Sequence, residues 1–171
     1  MESKDDKNLV VKYREGAFKL REESVPQPGP GHVLIRVAYS TINPYDRIMA
    51  TVNKADGFIL GCDGCGTIAA VGDGVSADQV GKKVAFVGDG WAKYAVKDFK
   101  YVVPLPDSID LTVCANAYVN PNTALAMLDF AKKHEAKCVI SMAASSALGK
   151  QMIRLFASQG IEVINVVRKD A

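Results

Sequence analysis

No apolar run in this chain approaches the ~18 residues that a membrane-spanning helix needs, so the sequence predicts no span. Cysteine is scarce. Cys62, Cys65, Cys114 and Cys138 follow no framework spacing, and a chain with a full apolar core has little need of disulfides, which points to a reducing compartment. Histidine is scarcer still: His32 follows a loop and His134 sits at a helix end, where a cation suits the C-terminal dipole, so neither reads as a metal ligand. Charge is nearly balanced at +2, with no basic stripe carrying interleaved aromatics, which argues against nucleic acid. Met1 to Asn8 is polar and of mixed charge, lacking the apolar core of a signal peptide and the Arg-rich composition of a transit peptide. There is neither an internal repeat nor a low-complexity segment. What remains is a chain of 171 residues, 49% hydrophobic and 23% charged, ordinary for a globular protein of one large domain or one and a half.

Glycine is the residue that is concentrated. Nine of the fourteen lie between Gly57 and Gly90, threaded through short β-rich pieces at 67–71, 83–87 and 91–96. Such spacing predicts a small, strongly bent β-barrel whose corners need positive φ. Before it, Leu9 to Tyr13 and Phe18 to Glu23 read as a hairpin turned at Glu15-Gly16. Pro26 to Gly31 is a rigid connector into a strand at 33–39. Asn43-Pro44 can start a short helix, with asparagine as cap and proline at the first helical position. Val103 to Ser108 closes the β-rich region. From Ile109 the pattern turns helical, and Asn120-Pro121 caps a helix over 122–134 with Ala124, Leu125, Leu128 and Ala131 on one side.

The last stretch organises the reading. Val139 to Met142 is predicted as a buried strand. Leu148, Met152, Leu155 and Phe156 recur on one helical face, Gly160 closes that helix, and Ile161 to Arg168 carries a second apolar run. Parallel strands require such a crossover, so this is a β-α-β unit. Between strand and helix, Ala143 to Ala147 holds nothing larger than serine, so backbone can approach a ligand where unpaired N–H groups and the helix dipole favour a pyrophosphate. Of the G-x-G-x-x-G pattern only the last glycine stands, Gly149, with Ala144 and Ser146 in the other two places. Where an NAD site would put an acid on the ribose 2′-OH, this chain has Arg168-Lys169, which suits a 2′-phosphate and so NADP. The plain structural alternative stands beside it: Ala/Ser turns start helices well, and a terminal Arg-Lys is well solvated.

Taken in order, Pro28-Gly-Pro-Gly31, Thr41-Ile-Asn-Pro44 with Asp46, Leu60-Gly-Cys-Asp-Gly-Cys-Gly66, Ala70-Val-Gly72, Gly90-Trp-Ala-Lys-Tyr-Ala-Val96, Val119-Asn-Pro-Asn-Thr-Ala124 and the Ala143 to Gly149 turn carry a resemblance. Together they resemble the medium-chain dehydrogenase/reductase superfamily, on its zinc-independent quinone oxidoreductase and enoyl reductase side. The resemblance implies an α/β fold with a β-barrel: a GroES-like barrel over residues 1–110, then an incomplete Rossmann β-α-β unit within 111–171. It implies an NADPH-dependent oxidoreductase, or part of one, that delivers hydride to an α,β-unsaturated carbonyl or quinone, in the cytoplasm or the mitochondrial matrix. It assigns the pyrophosphate to Ser145, Ser146, Ala147, Leu148 and Gly149, the 2′-phosphate to Arg168 and Lys169, and the nicotinamide side to Thr123. Asn43, Tyr45 and Asp46 would line the substrate side as the catalytic set, with Tyr45 able to donate a proton to a developing enolate. Asn43 as a helix cap and Asp46 as a first-turn dipole partner are equally good readings of those two residues.

Zinc-dependent relatives hold their metal with a Cys ahead of an Asp and with Gly-His-Glu. This chain has Asn43-Pro44-Tyr45-Asp46 and Gly61-Cys62-Asp63 there, so no zinc is predicted. Cys62-Asp-Gly-Cys65 has no second pair nearby and reads as two small residues in a glycine-rich bend. One β-α-β unit would leave sheet edges and an apolar face open, so a further chain segment or a protein partner is expected to complete the sheet. The alternative function is a non-catalytic accessory or scaffolding subunit derived from such a reductase. The substrate itself is not legible.

Overall fold

The structure is a computed structural model, and it describes residues 7–52 and 58–168. The chain divides into two compact units, Met1–Tyr118 and Val119–Ala171.

The first unit opens with β1 (Lys7–Arg14) and β2 (Ala17–Ser24), an antiparallel hairpin in which Lys7 faces Ser24 and Arg14 faces Ala17. Its turn sits at Glu15-Gly16, both at positive φ, the backbone twist that two-residue hairpin turns favour. There follow β3 (His32–Ser40), α1 (Pro44–Val52), β4 (Asp63–Val71), β5 (Lys83–Val87), β6 (Tyr94–Asp98) and the short β7 (Val103–Pro104). These strands form one antiparallel sheet in the order β6-β3-β4-β5-β7. Register shifts between β3 and β4, at Leu34/Ile35 and at Val37/Tyr39, bend the sheet. Gly61, Gly74, Gly81 and Gly88 take the positive φ expected of its corners. The inward-facing Val33, Ile35, Ile68, Val84, Phe86 and Ala95 make the core, to which Val102 is added from beyond β6. The hairpin is tied to this sheet through its backbone, Lys93 N–H donating to Leu9 O at 2.8 Å and Val11 N–H to Trp91 O at 2.8 Å. Buried Asn8 adds a two-point clamp: its amide donates to Tyr94 O at 3.0 Å and accepts from Tyr94 N–H at 2.8 Å.

The second unit holds α2 (Val119–Lys133), β8 (Cys138–Ser141), α3 (Ala147–Ala157) and β9 (Glu162–Asn165), with β8 and β9 parallel and Cys138 beside Glu162. Leu128 and Ala131 of α2 and Phe156 of α3 pack with Ile161, flanked by Met152, Leu155, Val139 and Val163. The helix after the turn thus packs Met152, Leu155 and Phe156 of the face that its spacing implied, while Leu148 is half-buried beside the turn. Its C-terminus closes as expected at Gly160, with Ile161 N–H bonded to Phe156 O at 3.1 Å.

Three local expectations are corrected. Helix α2 begins at Val119, so Pro121 lies inside its first turn, where a missing N–H costs nothing, rather than ahead of the helix. Leu125, expected on the packed side, is exposed, because Ala124, Leu128 and Ala131 at i, i+4 and i+7 define the buried line one position away. Nor is the first β-α-β strand buried on both faces. Val139 and Val163 meet the helices, while Ile140, 64% exposed, and Ile164, 49% exposed, point the other way.

Candidate functional site

In the first unit the catalytic-type residues gather at the start of α1. Asp46 is 2% exposed, and both its oxygens accept from main chain: Asn43 N–H at 2.8 Å and Cys62 N–H at 2.8 Å. It therefore acts as more than a dipole partner, fastening the first turn of α1 to the loop ahead of β4. With both oxygens committed, Asp46 positions its neighbours. Asn43 does not cap the helix through its side chain. Its Nδ2 donates instead to Thr41 Oγ1 at 2.6 Å and to Cys62 Sγ at 2.9 Å. Tyr45 is 54% exposed, so the phenol is open to a ligand. The corner is stiffened by Gly61 at φ +95°, where a Cβ would lie 2.5 Å from Trp91, and by Trp91 Nε1 donating to Thr41 O at 2.8 Å.

Cys62 is half-buried, and burial pushes its thiol above the ordinary range, opposed by the Asn43 amide. Cys65 is fully buried in β4, and burial, helped by Cys114, pushes its thiol up to about 11. Cys62 lies in the bend ahead of β4 and Cys65 within that strand. The four cysteines are free thiols. No cluster of three or more His, Cys, Asp or Glu able to hold a metal occurs among the described residues.

In the second unit the turn after β8 is built around Gly149. A Cβ there would meet Ala143 O at 2.5 Å and Ala144 O at 2.6 Å, so only glycine lets α3 sit this close to the turn. Ser146 is the N-cap, its Oγ accepting from Gly149 N–H at 3.0 Å, while its own N–H is spent on Ala143 O at 3.0 Å. Two of the backbone donors at this turn are thereby spent. Gly149 N–H and Ser146 N–H are used internally, and the N–H groups of Ser145, Ala147 and Leu148 are those with no protein acceptor among the described residues. Three free N–H groups at the opening of a helix fit a phosphate. The turn is tied to the end of the second strand by Ala144 N–H to Val166 O at 3.4 Å and Val166 N–H to Ser141 O at 2.9 Å. Arg168 follows two residues later, exposed and without an ion-pair partner among the described residues; Lys169 lies outside them. Thr123 is half-buried, and its hydroxyl donates back to Val119 O at 2.8 Å within α2.

A cleft of about 350 Å³ opens beside the turn, lined by Met127, Ile140, Met142, Leu148 and Met152 with Ser146 among others. Of this lining, Ser146, Leu148 and Gly149 belong to the turn that the sequence singles out. Met127 was missed, since it reaches the cleft from a helix whose sequence pattern shows only a packing face.

Comparison with known proteins decides the family. Residues 29–107 match the model of the alcohol dehydrogenase GroES-like domain. The mitochondrial enoyl-[acyl-carrier-protein] reductase of Bos taurus is 31% identical over 163 residues, 88% of this chain and 42% of that protein. Its counterpart in Dictyostelium discoideum is 28% identical over 162 residues, 89% of this chain and 46% of that one. The crystal structure of a putative NADPH:quinone reductase from Mesorhizobium loti superposes with a TM-score of 0.84 at 30% identity, over 99% of this chain and 57% of that one.

Its relatives are medium-chain dehydrogenases/reductases, and residues 29–107 match their GroES-like domain.

The chain has the GroES-like antiparallel sheet, followed by partial Rossmann-like elements. It spans about half the length of the curated relatives it matches. Asn43, Tyr45 and Asp46 fall within the matched residues 29–107, and no described helix is long and apolar enough to cross a membrane.

Proposed function

We propose that this chain carries the substrate-side barrel and the phosphate-binding β-α-β unit of an NADPH-dependent reductase that delivers hydride to an α,β-unsaturated carbonyl or quinone without zinc. The observation that carries the reading is the opening of α3. Ser145, Ala147 and Leu148 hold free N–H groups against a turn of small residues, and Arg168 follows the neighbouring strand end with its guanidinium uncommitted among the described residues. The names of relatives, enoyl reductases and an NADPH:quinone reductase, support the same chemistry. When bound, the nicotinamide supplies the hydride. This chain's residues then have separable tasks: the three N–H groups hold pyrophosphate, Arg168 and Lys169 receive the 2′-phosphate, and Thr123 faces the nicotinamide. Tyr45 presents its hydroxyl to the oxygen that gains charge, and protonation there lowers the barrier as any positioned acid does. Asp46, with both oxygens on main-chain N–H groups, serves to place Asn43 and Tyr45.

The open face of Ile140 and Ile164 supports a further part of the reading, that additional chain, its own or a partner's, covers this sheet. The free thiols, with Cys138 exposed, and the mitochondrial names of relatives support a reducing compartment such as the matrix or the cytoplasm.

Thermal unfolding with either nucleotide tests the cofactor. NADPH at 100 times its Kd stabilises by about 2.7 kcal/mol, and NADH at the same concentration does much less. Equal shifts, or none, would remove the basis of the reading. Oxidation of NADPH by an enoyl thioester or a quinone tests the reaction.

A further inference from the structure

We infer that Asn43 meets its ligand as a hydrogen-bond acceptor, through Oδ1, and that Cys62 is the positioning residue that holds it in that orientation; this rests on the reading of the α1 corner as the substrate side. A primary amide has two N–H donors and one carbonyl acceptor. Here both donors are committed, one to Thr41 Oγ1 at 2.6 Å and one to Cys62 Sγ at 2.9 Å. Among the described residues no donor reaches Oδ1, and it is not among the buried polar atoms left without a partner, so it faces accessible space. Turning the amide over would set Oδ1 against a thiol, a weaker donor than an amide N–H, and would give up the N–H bond to sulfur.

Cys62 is well suited to fix that orientation, because its own backbone is held at both ends. Its N–H is bound by Asp46 Oδ1 at 2.8 Å, and its carbonyl accepts Gly88 N–H at 3.1 Å. Both main-chain groups of Cys62 are thus pinned, and turning the amide over gives up its N–H bond to the sulfur. The chemical consequence is a specificity. The oxygen of Asn43 selects a ligand group with a proton to give, such as a carboxamide N–H or a hydroxyl. It repels a carbonyl oxygen or a developing enolate. Negative charge formed during reduction must then be met elsewhere, and at this corner exposed Tyr45 offers a hydroxyl donor.

Side-chain amide exchange measured by NMR on the full chain tests this without relying on turnover, with the Asn43 signal assigned by its loss in Asn43→Ala. Both Nδ2 protons of Asn43 are expected to exchange at least tenfold more slowly than those of exposed Asn165. Cys62→Ala should return one of them to within about threefold of Asn165, and Cys62→Ser, which keeps an acceptor, should restore the protection. Exchange in the wild type as fast as at Asn165 would overturn the inference, as would protection that survives Cys62→Ala. If Cys62→Ala does not fold, the wild-type rates and Cys62→Ser decide. In NADPH-dependent turnover, Cys62→Ala should lower kcat at least fivefold while the KM for NADPH stays within twofold, with Cys62→Ser restoring kcat. A wild-type chain that binds no NADPH and reduces neither substrate class would overturn the reductase reading alone, because the exchange rates stand apart from it.

Discussion

Replacing Asp46 by asparagine tests the construction of the α1 corner. The carboxylate is buried and accepts two main-chain N–H bonds of 2.8 Å each, from Asn43 and from Cys62. Hydrogen bonds to a charged group are worth about 1.5–3 kcal/mol each. Asparagine keeps the shape and one acceptor, but it turns an NH₂ toward the second N–H, so one charged bond is lost and the other becomes neutral. The loss should be about 2–4 kcal/mol, and Asp46→Ala, which loses both, should cost about 3–5 kcal/mol. Against a typical total of 5–15 kcal/mol either change is large. Urea unfolding followed by fluorescence is the assay, since the chain has a single tryptophan, Trp91, whose Nε1 bonds Thr41 O in this same corner. The midpoint should fall with little change in m-value. An Asp46→Asn variant within about 0.5 kcal/mol of wild type, the range of an ordinary surface change, would refute the reasoning and return Asp46 to a purely chemical role.

Arg168→Ala should weaken NADPH by roughly 1.5–3 kcal/mol, the worth of a charged hydrogen bond, with little effect on NADH; titration that finds equal losses for both contradicts the 2′-phosphate assignment. Gly149→Ala places a Cβ 2.5 Å from Ala143 O and 2.6 Å from Ala144 O, so the turn must shift. We expect about 1–3 kcal/mol of destabilisation, the usual cost of overpacking, together with loss of the nucleotide's stabilising effect in thermal unfolding. An alanine variant with unchanged NADPH affinity would show that the turn does not touch the cofactor. Cys65 holds its proton to about 11 in the folded chain because it is buried, whereas an unfolded thiol ionises near its ordinary value. The folded state therefore binds more protons above about pH 8.5, and stability should decline as pH rises from there toward 11. Urea midpoints across that range measure it, with Cys65→Ala as the control that flattens the slope. Alkylation of the native chain should label exposed Cys138 first and leave Cys65 and Cys114 unlabelled until unfolding.

Whatever depends on neighbours a few residues apart was readable in the amino-acid order. The Glu15-Gly16 turn, the glycine-rich bends, the spacing of Met152, Leu155 and Phe156 and the stop at Gly160 are local choices of φ and of buried face. They appear in the structure where the pattern put them. So does the parallel pairing of β8 with β9, because a strand-helix-strand run has little other way to bury its helix. Contacts between distant segments were not readable. Asp46 reaches Cys62 across 16 residues and Asn43 reaches its sulfur across 19, and no local pattern reveals that one carboxylate spends both oxygens on backbone. Which N–H groups at the start of α3 stay free depends on Ser146 and Ala143 consuming two of them. Hydrogen-bond partners are assigned only when the chain has closed on itself, since each donor goes to whichever acceptor packing brings within about 3 Å. Periodicity could therefore place the helices and strands of this protein, while the roles of Asn43, Cys62 and Asp46 were decided by tertiary structure.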